Sequence, residues 1–328
     1  MGSRKARYLL MAAGRVVGER TSKKMVLAME RRSRDVRGRA FRISLLLTLL
    51  VSLFVLGVLV VDVVVDGWGI LTGRPGGFLN GTMRSLSDDP QLGVHQALVG
   101  TFWIAVFVAV LAFPIGIGAA IWLEEYAPRN RFTRFIELNI RNLAGVPSVV
   151  YGLLGLFLFV KHLEGVTGGK SIASAGITLA ILVLPIVIIT AQEAIRAVPQ
   201  GLKEGAYGVG ATKWTMIRSQ VLPYAAPGIL TGTLLSMSRG IGEAAPLLLV
   251  GAVTGRLGTN PSFFDLSAIN AKHFMAMPVI IVEWVQNSGR DPGFAEAAAA
   301  AIVVLLVFVV LMNATAILMR NHFENKRG

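Results

Sequence analysis

Residues 97–123 read ALVGTFWIAVFVAVLAFPIGIGAAIWL, 27 residues without a single charge. A helix rises 1.5 Å per residue, and crossing a ~30 Å hydrocarbon core takes about 20 residues. No period of 2 or 3.6 divides the run into wet and dry faces, so it is not one side of a soluble element. Five further segments share this character: 43–65, 143–160, 172–194, 224–254 and 296–319. Of these, 143–160 is short for a span, and 224–254 is long but interrupted. The expected fold class is an all-α integral membrane protein with six transmembrane helices.

Composition agrees. The chain is 54% hydrophobic and 16% charged, where a soluble domain averages about 25% charged residues. It has no cysteine, which excludes disulfides, thiolate catalysis and cysteine metal sites. His95, His162, His273 and His322 lie too far apart in the chain to make a helical metal pair, so no metal site is expected.

The net charge of +13 could suggest a nucleic-acid partner, but its placement argues against one. Residues 1–42 hold thirteen Lys/Arg against Glu19, Glu30 and Asp35, which is ten of the thirteen net charges. Runs such as RRSRDVRGR (31–39) read as a basic arm lying on anionic membrane lipid, where each Lys/Arg contributes about 1 kcal/mol. The basic region is too long for a cleavable signal peptide. The arm, the loops 124–142 and 195–223 and the C-terminal tail carry 24 Lys/Arg, against seven in the three alternate loops. The positive-inside rule then puts both termini in the cytoplasm. The expected organisation is a basic arm (1–42), a first transmembrane helix with its outer loop (43–95), a core of five helices (96–319) and a tail (320–328).

Two stretches carry misleading or open signals. EGVTGGKS (164–171) nearly spells a phosphate-binding P-loop, but Glu164 stands where glycine is needed and the segment joins two membrane helices. The chain is therefore expected to have no nucleotide site of its own. The loop 255–295 carries Phe263, Phe264, Phe274, Met275, Met277 and Trp284. It is either an interfacial aromatic belt or a surface that docks a partner or gates the outer mouth.

Two others point to function. In IRAVPQGLKEGAYGVGATKWTMIRSQVLPYAAPG (195–228), Pro199 ends one membrane helix and Pro223 begins the next. Between them an amphipathic pattern with glycines at 205, 208 and 210 predicts two short cytoplasmic helices joined near Gly210. In SMSRGIGEAAP (236–246), two charges interrupt an apolar run, at ~2.5–3.5 kcal/mol each on insertion scales. Arg239 and Glu243 are four apart, which puts them on one helical face where they can pair. Gly240, Gly242 and Pro246 loosen the helix, and such irregularity at depth belongs against protein or a water-filled cavity. Either the two charges are a packing pair or they line a translocation path, with Ser236 and Ser238 adding hydroxyls.

The first of these stretches resembles the coupling signature of ABC-importer permeases. Glu204, Ala206, Gly210, Leu222 and Pro223 match it with the spacing intact, while Gly205 and Gln220 depart from it. NLAGVPSVVYGLLGLFLFV (142–160) and SMSRGIGEAAPLLLVGA (236–252) resemble the phosphate-specific members, and the GEAAPLL form is similar to their PstA-type subunits. The resemblance covers about residues 95–319. It implies a transport subunit that is not itself an enzyme, in a bacterial or archaeal plasma (inner) membrane. It further implies that Glu204–Gly210 docks on a PstB-like ATPase dimer that binds ATP and magnesium. The other implied partners are a PstC-like permease and an extracytoplasmic PstS-like phosphate-binding protein. Other readings remain open: a permease for sulfate or molybdate, or a secondary transporter or channel, since broken helices at the midplane suit those as well. An intramembrane hydrolase has no support, because no His or Cys lies in any span.

Overall fold

A computed structural model describes residues 36–253, 262–265, 269 and 273–325. Most of the expected basic arm, the tail end 326–328 and residues 254–261 of the aromatic loop lie outside the described residues. The helices are α1 (Val36–Gly73), α2 (Pro75–Asn80), α3 (His95–Ile121), α4 (Arg131–Ala144), α5 (Ser148–Gly155), α6 (Glu164–Thr167) and α7 (Ile172–Arg196). They are followed by α8 (Gln200–Gly208), α9 (Lys213–Met216), α10 (Leu222–Ile241), α11 (Ala245–Val250), α12 (Met277–Asn287) and α13 (Gly293–Asn325). α3, α5 and α9 widen at their C-terminal ends into π-helical turns, Trp122–Tyr126, Leu156–His162 and Ile217–Val221. Among the described residues there is no strand, only an isolated bridge between Thr82 and Leu92.

The all-α membrane class forms as expected. Four helices are long and apolar enough to cross a membrane: Arg37–Gly73, His95–Tyr126, Ile172–Arg196 and Gly293–Thr315. Arg131–Ala144 and Ser148–His162, bent by 98° at their break, add a fifth if counted as one span. Among the described residues the expected six spans are therefore not all seen as continuous helices. The expected 143–160 span starts as a turn, with the Gly145 and Val146 N–H groups donating to Asn142 O and Leu143 O, each 3.1 Å. Pro147 then keeps Val146 out of the helical region, and the helix begins at Ser148. The expected 224–254 span is divided into α10 and the six-residue α11 by a turn at 242–244.

The chain divides into two units, Met1–Val61 and Asp62–Gly328. In the first, Leu46, Phe54 and Leu59 are among many apolar side chains that are more than half exposed. A helix apolar all round belongs against lipid tails or another chain.

In the second unit α7 is the axis, its apolar length mostly buried and α3 packed along it. Ile104, Val108, Leu179, Val183 and Val187 form the centre of that contact. One end of the unit is closed by the irregular segment before α12, where Phe274, Met275 and Ala276 are buried, as is Met277 at the start of the helix. It crosses α3 at Gly100, where a Cβ would collide with the Met275 carbonyl oxygen. The Met277 N–H donates to the Thr101 hydroxyl at 2.9 Å. The fully buried Trp284 of α12 then packs against Phe78 and Phe294 and points its indole N–H at the Met83 sulfur, 3.2 Å away.

Candidate functional site

α10 stops two residues after Arg239. The Gly242 and Glu243 N–H groups turn back to Arg239 O and Gly240 O, both at 3.2 Å. Helix resumes at Ala245 with Pro246 in its first turn, where a missing N–H costs nothing. Because the helix ends, the four-residue spacing no longer puts Arg239 and Glu243 on one face. Among the described residues no ion pair joins them, so the pairing that the spacing suggests does not form.

The two side chains nevertheless meet in one place. Both line a cavity of about 210 Å³ whose other walls are the Leu143–Ser148 corner, Tyr151, and Leu182 and Ile186 of α7. Arg239 is exposed and Glu243 half-buried. The Tyr151 hydroxyl donates to Leu143 O at 2.9 Å and so ties the corner to α5. Ser148 is the first residue of α5, behind Pro147, and no side chain caps that end. First-turn N–H groups have no partner within their helix, and that end carries partial positive charge. The cavity therefore brings together a guanidinium, a helix N-terminus and one carboxylate, which is a setting for a small anion.

Ser236 and Ser238 do not line this cavity. The buried Ser236 hydroxyl donates to Gly232 O in its own helix at 2.7 Å. The Ser238 hydroxyl lies 2.9 Å from Leu234 O and 2.8 Å from Asn313 Oδ1, linking α10 to α13. Sequence reasoning missed Ser148, Tyr151 and Asn313. The Pro147-Ser148 pair is a helix-start signal that was hidden inside an apparently continuous span. Asn313 is a lone amide in an apolar run.

The second candidate surface lies between α7 and α10. α8 and α9 are the two short helices expected there, and Gly210 between them has φ +81° with open space where a Cβ would stand. Thr212 caps α9 by accepting the Thr215 N–H at 3.2 Å, and Pro223 sits in the first turn of α10. Glu204 and Gly205 are exposed and Ala206 is half-buried. Around them Tyr207, Val209 and Trp214 present apolar surface, Val209 with 86% of its area exposed. The base of this knob is fixed. Met216, Ile217 and Val221 are buried against Ile195, and Lys203 pairs with Glu125 at 2.5 Å. Arg196 pairs with Glu124, and the Lys213 ammonium lies 4.9 Å from the centre of the Tyr126 ring, a cation–π contact.

The knob stands at the start of α10 and the charged cavity near its end, at Arg239. Residues 112–326 match the family described as binding-protein-dependent transport system inner membrane component. The chain belongs to this family. It is thus a multi-pass membrane permease of an ABC importer, and the matched residues include both the knob and the Arg239 cavity.

Its relatives narrow the comparison. The permease is similar to a probable ABC transporter permease protein, YqgI, of Bacillus subtilis: 33% identical over 225 residues, 67% of this chain and 74% of that protein. It is 34% identical over 211 residues to phosphate transport system permease protein PstC 2 of Mycobacterium tuberculosis, 57% of this chain and 64% of that one. With PstA 1 of the same species it shares 37% over 188 residues, 57% of this chain and 60% of that one. The chain thus spans less than two thirds of the length of these two mycobacterial relatives. Among solved structures, a bacterial alginate ABC transporter in complex with its alginate pentasaccharide-bound periplasmic protein superposes with a TM-score of 0.51. It is 13% identical, over 86% of this chain and 95% of that one. An inward-facing MetNI methionine ABC transporter gives 0.50 at 17% identity, over 70% and 96%. Those two likenesses concern the fold alone.

Proposed function

We propose that this permease is the PstA-type half of an inorganic phosphate importer, with Arg239 gripping the anion on its path. The observation that carries the reading is Arg239 in one small cavity with the N-terminus of α5. A cavity of about 210 Å³ is below the ~300–1,000 Å³ of pockets for drug-sized ligands, which favours a small ion over an oligosaccharide. Arg239 offers a planar fork of donors that stays charged, and the first turn of α5 adds N–H groups and positive potential. Glu243, in the same cavity, keeps anion binding weak enough for release. The names of the mycobacterial relatives support phosphate over sulfate or molybdate, and the GEAAPLL form (242–248) supports the PstA-type half.

Membership of the family supports the remaining parts of this reading. A PstC-like permease forms the other half of the path, and a PstS-like protein delivers phosphate from outside. A PstB-like ATPase dimer, which binds ATP and magnesium, closes against Glu204–Gly210 and drives alternating access. In this reading both termini face the cytoplasm, the side that the Lys/Arg distribution favours. A secondary transporter would have no use for the knob.

Phosphate uptake by the reconstituted importer tests this. Arg239→Gln abolishes uptake while assembly and basal ATPase activity persist, and Arg239→Lys is impaired because a point charge lacks the fork. Normal uptake by the double variant Arg239→Leu, Glu243→Leu would leave the two charges a packing role only.

A further inference from the structure

α4 is built differently from every helix around it. Its 14 residues include Arg131, Arg134, Glu137 and Arg141, and it stands at 98° to the apolar helix Ser148–His162 that follows. At 100° per residue, Thr133, Ile136, Glu137 and Ile140 form one side, which is buried or half-buried toward α7. Phe132, Phe135 and Leu143, exposed to 66%, 62% and 47%, form a second side that they share with the exposed amides of Asn139 and Asn142. Arg134 and Arg141 form a third, also exposed. An apolar flank opposite a cationic one is the pattern of a helix lying in the membrane interface, with its aromatics among acyl chains and its arginines among headgroups. A helix at right angles to a membrane-entering neighbour has that orientation.

At the N-terminal end of α4 lies a cavity of about 630 Å³ lined by Arg129, Arg131, Arg134, Arg196, Glu124 and Glu137, among others. Glu124 already holds Arg196, and Gln192 donates to it at 3.2 Å. Among the described residues Arg129, Arg131 and Arg134 form no ion pair, so three cations face the cavity against Glu137. Guanidinium groups bind phosphate oxygens in a bidentate manner.

We infer that this cavity holds the phosphodiester headgroup of an anionic glycerophospholipid, whose acyl chains lie along Phe132 and Phe135. The other end of α4 runs directly into the Leu143–Ser148 corner that walls the Arg239 cavity, so the bound lipid fixes the angle at which that corner is presented. This assignment stands on α4 and the cavity at its N-terminal end and does not depend on which ion the permease carries.

The test uses the permease purified with its co-purifying subunits, in nanodiscs of phosphatidylcholine with graded phosphatidylglycerol. Native mass spectrometry then counts the lipids retained. The wild-type complex enriches phosphatidylglycerol over its share in the disc. The triple variant Arg129→Gln, Arg131→Gln, Arg134→Gln reduces that enrichment by about tenfold or more, and the corresponding triple Lys variant retains most of it. A wild-type complex without preference for phosphatidylglycerol overturns the assignment whether or not any variant assembles. Displacement of the lipid by millimolar inorganic phosphate would reassign the cavity to a soluble anion. Loss of a co-purifying subunit from the triple Gln variant, with lipid enrichment unchanged, would reassign it to a protein partner.

Discussion

Lys203 in the first helix of the knob reaches back to Glu125 in the π-helical end of α3, with Nζ 2.5 Å from Oε1. Their side chains are only 15% and 7% exposed, so removing one strands the other away from water. Breaking such a pair costs about 3 kcal/mol, whereas replacing both partners with apolar groups costs far less. Lys203→Met therefore loosens the knob, seen as faster hydrogen exchange across 200–208 and weaker retention of the ATPase. The double variant Lys203→Met, Glu125→Leu recovers most of both. Equal loss in the single and double variants would show that the pair does not anchor the knob.

Gly210 sets the angle between α8 and α9. Its φ of +81° strains residues with a Cβ, by about 1–2 kcal/mol, and asparagine tolerates this region better than most. Since the site is open, a Cβ meets no obstacle, and backbone preference alone is at stake. Transport should rank Gly210 above Gly210→Asn, and Gly210→Asn above Gly210→Leu, with membrane insertion unchanged in all three. Uptake assays beside insertion controls read this order, and full activity in Gly210→Leu would contradict it.

The chain has no cysteine, so single cysteines report topology without background. Ser262 and Ser219 are both exposed. Ser262→Cys is expected to react with an impermeant thiol reagent added to intact cells or spheroplasts, and Ser219→Cys only after lysis. The reverse pattern would invert the proposed orientation and take the knob away from the cytoplasm.

Asp291 receives the Ser87 N–H at 2.9 Å and the Ser87 hydroxyl at 2.6 Å, pinning the 82–92 loop to the start of α13. These hydrogen bonds hold its carboxyl below the ordinary 3.8. A lowered pKa means the link is fully present above the ordinary carboxylate range and is lost as pH falls through the shifted value. A fluorophore at Leu86→Cys should stay immobile at neutral pH and become mobile only in strong acid. In Asp291→Asn it should be mobile throughout.

Much of this architecture is legible in the sequence because it follows from local rules. Uncharged runs announce the membrane helices, and Pro199, Gly210 and Pro223 mark out the knob almost to the residue. What could not be read is where helices break inside apolar sequence. Hydropathy averages over Gly145–Ser148 and Gly242–Ala244, so both appear as continuous spans. The Arg239–Glu243 relation went the same way: spacing predicts a shared helical face, and a helix end two residues later removes it. Their meeting with Ser148 and Tyr151 depends on contacts roughly a hundred residues apart in the chain, which no local period encodes.

The crossing of α3 by the segment before α12 has a consequence for biogenesis. Thr101 and Met277, joined by a hydrogen bond, are 176 residues apart in the chain. At ~5–20 residues per second, a ribosome needs about 9–35 s to make the second after the first. Throughout that interval the notch at Gly100 is uncovered within the membrane and the Thr101 hydroxyl lacks its native partner. The closed end of the bundle is therefore among the last parts to be completed. A nascent chain halted before residue 273 would carry the whole α8–α9 knob on a core that is still open at its opposite end.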